Sequence, residues 1–190
     1  MRCGTKQNGL VMDDLEQIVI ELGAYKAARI AVKDISFDRS FRTLCESNAC
    51  GNYGKSYMCP PDAGDIDMLI AKARSYDYAI VYQIVGTLED SYDFEGMMEA
   101  GQSLNHLAQA ISTEFSVLPF SKTMHLGAGG CRVCEVCAKR EDVPCRFPDK
   151  AMSSLETYGI NVSELAVPCG MKYINGKNTV TYFGAFFIKN

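Results

Sequence analysis

Seven of the nine cysteines in this 190-residue chain fall into two short stretches. Cys131, Cys134, Cys137 and Cys145 form C-x2-C-x2-C-x7-C inside GGCRVCEVCAKREDVPCRFP, residues 129–148. A thiolate at every third position lets one loop present three sulfurs to a single polynuclear object. The first three match the start of the bacterial ferredoxin run C-x2-C-x2-C-x3-C-P. Cys145 is the nearest candidate for the fourth iron. Gly127, Gly129 and Gly130 precede the run and allow close backbone approach. Arg132, Lys139, Arg140 and Arg146 lie where they can balance an anionic thiolate-ligated cluster. A structural zinc ion held by four cysteines is the competing reading. Zinc sites usually split their ligands into two separated pairs, so spacing alone favours a [4Fe-4S] cluster over Zn.

The other group, Cys45, Cys50 and Cys59, reads C-x4-C-x8-C and is followed by Pro60 and Pro61. Three thiolates suit a second cubane with one iron left over. Cys169, Cys3, a non-cysteine ligand or a substrate are the candidates for that iron. The bland alternative is three buried, inert cysteines near a strand end. Ala49–Ser56, ACGNYGKS, imitates a phosphate-binding loop, but the motif needs a helix directly after Lys55-Ser56 and the two prolines forbid one there. Of the two histidines, His106 sits off the apolar stripe of a long helix and is expected in solvent. His125, six residues before Cys131, is expected to be a satisfied structural histidine rather than a ligand or proton donor.

At the level of the whole chain, 47% hydrophobic and 22% charged residues fit a globular core. The net charge of -4 and pI of about 5.2 argue against a general nucleic-acid surface. The N-terminus lacks the pattern of a secretory leader, and no apolar run is long enough to span a bilayer. A cytoplasmic protein is expected, and in a reducing compartment clustered cysteines point to metal rather than disulfides.

The elements that must position these groups are legible in the periodicity. Leu15, Ile18, Val19 and Leu22 share a helical face. RIAVKDISF reads as a strand with a bulge, because Ile30 and Val32 have one parity and Ile35 and Phe37 the other. Ile66, Leu69, Ile70 and Ala73 mark a helix started by Asp62 or Asp65, and YAIVYQIV a central strand. Phe94, Met97, Met98, Gly101, Leu104, Ala108, Ile111 and Phe115 form the stripe of a long helix, with its methionines in the core. SKTMHLGA is a strand leading to the second cysteine group. Ser153/Glu156 and Asn161/Glu164 look like capping boxes of two short helices, and TVTYFGAFFI closes the chain as a strand. The order predicts an α/β or α+β fold: one mixed sheet with helices packed on it, a single domain over 1–190, and cysteine-rich loops at about 45–61 and 129–148.

Four motifs, C-x4-C-x2-Y-x5-C-P-P, G-C-x2-C-x2-C, C-R-x-P and S-x-E-x2-G-I-x-V, resemble the uncharacterised prokaryotic family of predicted metal-binding, cysteine-rich proteins, domain of unknown function 2284. The resemblance runs from about Cys45 to the terminal strand. It implies metal binding, often in an anaerobic context, and no established reaction. Three functions then compete. The first is an iron–sulfur electron carrier serving a redox partner protein, with one or two [4Fe-4S] clusters. The second is a zinc-stabilised adaptor. The third is an enzyme whose open-iron cluster binds a small-molecule substrate. No nucleic acid or membrane enters any of them.

Overall fold

The computed structural model describes residues 14–190. Five strands make one mixed sheet in the order β1-β2-β5-β3-β4: β1 (Lys26–Ala31), β2 (Tyr78–Thr87), β3 (Lys122–Gly127), β4 (Ser153–Ser154) and β5 (Thr179–Lys189). All neighbours are antiparallel except β3 and β4. β2 and β5 pair from Tyr78↔Ile188 to Thr87↔Thr179 and form the centre. Alternation of side chains along these strands builds two apolar layers, one on each face.

On one face, helices α1 (Leu15–Glu21) and α4 (Phe94–Phe115) cover Ile80, Tyr82, Phe186 and Ile188. On the other, α3 (Ile66–Arg74) and α5 (Val162–Ala166) pack with Val81, Phe183, Ala185 and Phe187. A short helix, α2 (Phe41–Glu46), carries Cys45. The fold is therefore the expected α+β sheet with helices on it. Among the described residues, no helix is long and apolar enough to cross a membrane.

Local differences from the sequence expectation have clear causes. The predicted bulge is the end of β1: Val32–Asp34 form a 3-10 turn, which is why the parity of the apolar residues changes. The α4 stripe begins at Ala100, and Phe94 and Met98 are 71% and 56% exposed, so Met98 does not pack in the core. The Ser153/Glu156 box shifts by one residue: Ser154 Oγ accepts from Thr157 N–H at 3.2 Å, and Glu156–Tyr158 form only a 3-10 turn. The Asn161 box is present, with Oδ1 accepting from the N–H groups of Ser163 and Glu164.

Asp65 caps α3, its Oδ1 accepting from Asp67 and Met68 N–H at 2.9 and 3.2 Å. Loss of such a cap costs about 1 kcal/mol. Asp65→Ala should therefore lower the urea midpoint of unfolding by the equivalent of about 1 kcal/mol with an unchanged m-value. An unchanged midpoint would show that the cap adds nothing to stability.

Candidate metal centre

The second cysteine loop starts and ends at one place on the sheet. It leaves β3 at Gly127 and returns through β4, whose Ser153 and Ser154 pair with Leu126 and Gly127. Leu155 N–H closes the return on Gly127 O at 3.0 Å. Between these anchors the chain wraps a cavity of about 350 Å³, counting its solvent-open part. Cys131, Cys134, Cys137 and Cys145 all line it, with Tyr57, Met58 and Phe147.

Side chains from the first loop and from α4 brace the wrap. Tyr57 Oη donates to Val143 O at 2.8 Å. Lys139 pairs with Asp62 at 2.6 Å and lies 5.4 Å above the Tyr57 ring. Arg146 pairs with Glu141 and donates to Val136 O at 3.1 Å. Lys139 and Arg146 are therefore engaged by carboxylates, while Arg140 acts electrostatically on Cys137. Burial alone would raise the Cys137 thiol. The N–H groups of Lys139 and Tyr57, the Ser56 hydroxyl and Arg140 outweigh it and hold the thiol below its ordinary value. These are the donors that stabilise a thiolate, whatever metal it binds.

Arg132 docks the loop on α4. A Cβ at Gly101 would lie 2.9 Å from the Arg132 Cζ, so any larger residue would push the guanidinium out of its present place. That contact explains a mid-helix glycine that otherwise costs helix stability. Arg132 Nε is buried and has no hydrogen-bond partner.

The first group lines the first cavity, of about 820 Å³, again counting open solvent; the cavity of the second group is the second. Cys45, Cys50 and Cys59 sit in its walls with Asn52, Tyr53 and Glu156. Cys50 is exposed and Cys59 buried. Burial pushes the Cys59 thiol up to about 11 despite the Ser56 hydroxyl. Burial also raises Cys45, with Arg42 pulling the other way. Arg42 Nε is a second buried N–H without a partner. Gly129 and Gly130 belong to this cavity while Cys131 belongs to the other, so the two share a wall. At Gly130 an added Cβ would meet the Asn52 amide at 2.9 Å, which is how closely the loops approach.

Cys169 lines neither cavity. It packs against the apolar layer on the α3 face, and burial raises its thiol to about 11. Cys3 lies outside the described residues. The phosphate-loop look-alike is a string of turns, and the next helix begins only at Ile66. His106 is exposed. His125 is bonded at both nitrogens, Nε2 to Tyr82 Oη at 2.7 Å and Nδ1 to Ser112 Oγ at 2.8 Å. It is the satisfied histidine its sequence position suggested. Tyr57, Arg42 and Glu156 were not singled out as site residues. Glu156 reads in sequence as a capping residue, and only its place in the S-x-E-x2-G-I-x-V stretch hints at more.

The donor set is soft thiolate throughout, which suits iron–sulfur clusters or zinc and not a hard oxygen-seeking cation. Among the described residues, no three His, Cys, Asp or Glu side chains are grouped as a single bound ion requires. Neither a curated protein nor a solved structure matches the chain. The family described as "Predicted metal-binding protein (DUF2284)" matches residues 28–188, a span that holds both cysteine groups and Glu156, and the chain belongs to that family.

Proposed function

We propose that the protein is an iron–sulfur electron carrier with two [4Fe-4S] clusters, one in each cysteine-lined cavity, that serves a redox partner protein. One observation carries the reading: each whole cysteine group lines its own cavity, yet among the described residues no three ligands converge on the spacing of one ion. A zinc site would require four thiolates at about 2.3 Å from a common centre. A cubane spreads its ligands around a larger body, one per iron.

When bound, such clusters exchange single electrons at potentials set by charge, hydrogen bonds to sulfur and exposure. The chain supplies those settings. Ser56, Tyr57 and Lys139 direct donors at Cys137, and Arg140 adds positive charge there. Gly130 in one wall adjoins Cys131 in the other, and Cys59 and Cys131 lie near enough to interact electrostatically, so the two centres would be adjacent and an electron could pass between them inside one chain. Phe147 lines the second cavity and is 45% exposed, which leaves a short path from that cavity to the surface.

Anaerobic reconstitution of the full chain with ferrous iron and sulfide tests this. The expected result is close to eight irons and eight sulfides per chain, with EPR signals of two reduced clusters. Fewer than about three irons, with tightly bound zinc from purification, would overturn it in favour of the zinc-stabilised adaptor.

A further inference from the structure

Three thiols leave one iron of the first centre without a protein ligand, and the structure places one more strong donor in that cavity. Glu156 lies in its wall with Cys45, Cys50 and Cys59. It is close enough to Cys45 to act on it electrostatically. The other polar lining groups are weaker donors. Asn52 is a neutral amide and Tyr53 a phenol, and the hydroxyls of Ser154 and Thr157 are bonded to each other at 3.1 Å. The remaining cysteine within the described residues, Cys169, packs in the apolar layer elsewhere.

The turn that carries Glu156 is also held in place by its neighbours. It follows β4 directly, and β4 is paired to the sheet at Leu126 and Gly127, just ahead of the glycines that line the same cavity. Gly159 O accepts from Asp38 N–H at 2.7 Å, and Phe37 bridges to Ile160, which ties the turn to the segment entering α2. Helix α2 in turn carries Cys45. Glu156 is half-buried in this wall, where the Ser154 hydroxyl and its own backbone N–H are its hydrogen-bond donors, and a carboxylate in such surroundings gains from a positive charge beside it. An iron ion supplies that charge by direct bonding.

We propose that Glu156 is the fourth protein ligand of the first centre, bonding through a carboxylate oxygen the iron that Cys45, Cys50 and Cys59 leave free. The inference rests on the two-cluster reading above. It replaces a permanently open iron with one closed by an oxygen ligand, which a small anionic ligand entering this solvent-open cavity can displace. In ligation a carboxylate oxygen donates an electron pair to the iron, and no electron is transferred.

The test uses the full chain, reconstituted anaerobically with iron and sulfide, in four forms: unmodified, Glu156→Gln, Glu156→Cys and Cys169→Ser. Iron and sulfide counts, EPR and the midpoint potential of each centre are measured, with far-UV circular dichroism as the folding control. Replacing thiolate by a non-thiolate ligand raises cluster potential in the Rieske centres. Glu156→Cys should therefore keep the full iron count and lower the potential of the first centre alone. Glu156→Gln should alter the first-centre EPR signal and speed its oxidative loss of one iron several-fold, leaving the second centre unchanged. Cys169→Ser should match the unmodified protein. Full iron with the first-centre signal and potential unaltered in both Glu156 variants would overturn the assignment. Loss of the first centre in Cys169→Ser would do the same. Absence of iron and sulfide from every form, the unmodified chain included, is instead the failure of the iron–sulfur reading itself.

Discussion

Cys134→Ser should reconstitute with about four irons and keep the EPR signal of the first centre, and Cys50→Ser should lose the first centre and keep the second. The reciprocity is the point. Cys134 lines only the cavity shared with Cys131, Cys137 and Cys145, and Cys50 only the cavity shared with Cys45, Cys59 and Glu156. Serine preserves side-chain size but is a poor ligand for iron, so each substitution removes one anchor from one centre. The fold should survive both changes. The two apolar layers on the sheet, built around Phe183 and Phe187 on one face and Tyr82 and Ile111 on the other, include neither residue. Matching near-ultraviolet and far-ultraviolet circular dichroism of the metal-free variants would establish that. If Cys134→Ser lost all iron, the chain would hold one shared site rather than two adjoining ones. If it lost none, Cys134 would not be a ligand.

The sheet was readable because its central strands are buried on both faces. Tyr78–Val85 and Thr179–Ile188 carry dense β-branched and aromatic residues, and the structure pairs them residue for residue at the centre. Helix α3 was readable from Ile66, Leu69, Ile70 and Ala73, all of them buried. Periodicity failed where it was short or ambiguous. Val32 and Ile35 satisfy both a bulged strand and a 3-10 turn, and only the chain's departure towards α2 decides between them. Met98 matches the helical stripe in spacing but lies where α4 runs past the sheet. There it meets Arg132 Nη1 at 3.6 Å instead of the core.

The grouping of the cysteines was legible from spacing alone, because a loop with thiols three residues apart has few other uses. What spacing could not reveal is the adjacency of the two groups. Residues 45–59 and 131–145 are far apart in sequence, and they meet only because β3 lies beside β5 and the loop after β3 returns to it through β4. Tyr57 illustrates the consequence. It belongs to the first cysteine segment by sequence and to the second cavity by position, and it donates to Val143 within the second loop. Glu156 was invisible for a related reason. A carboxylate three residues after a serine, as Glu156 is after Ser153, is a common helix-start pattern, and nothing local says that its turn lies in one cavity wall with Cys45.

Acid should destabilise the protein through His125, and His125→Gln should remove that component. The imidazole lies between β3 and α4 with both nitrogens bonded and with Phe186 and Tyr82 against its ring. Part of the residue reaches the surface, but burial of the ring depresses its pKa to about 3 from an ordinary 6.5. No counter-charge faces it among the partners described. If the ring were doubly protonated, Tyr82 Oη would have to accept, and its own proton would turn into a fully buried apolar layer. The unfolded chain therefore binds a proton below pH 6.5 that the folded chain refuses until about pH 3. Stability is complete above pH 6.5 and falls by about 1.4 kcal/mol for each pH unit below it. Between pH 6.5 and 4.5 that is about 2.7 kcal/mol, a large part of the few kcal/mol by which domains are usually stable. Glu156, raised by burial, tilts in the opposite direction. The quantity to measure is accordingly the difference between the two proteins, from urea unfolding at pH 7, 5.5 and 4.5 on metal-free chains. The gap in stability between unmodified protein and His125→Gln should close as pH falls. Equal pH slopes in the two would mean that His125 takes up its proton in the folded state as readily as in the unfolded one.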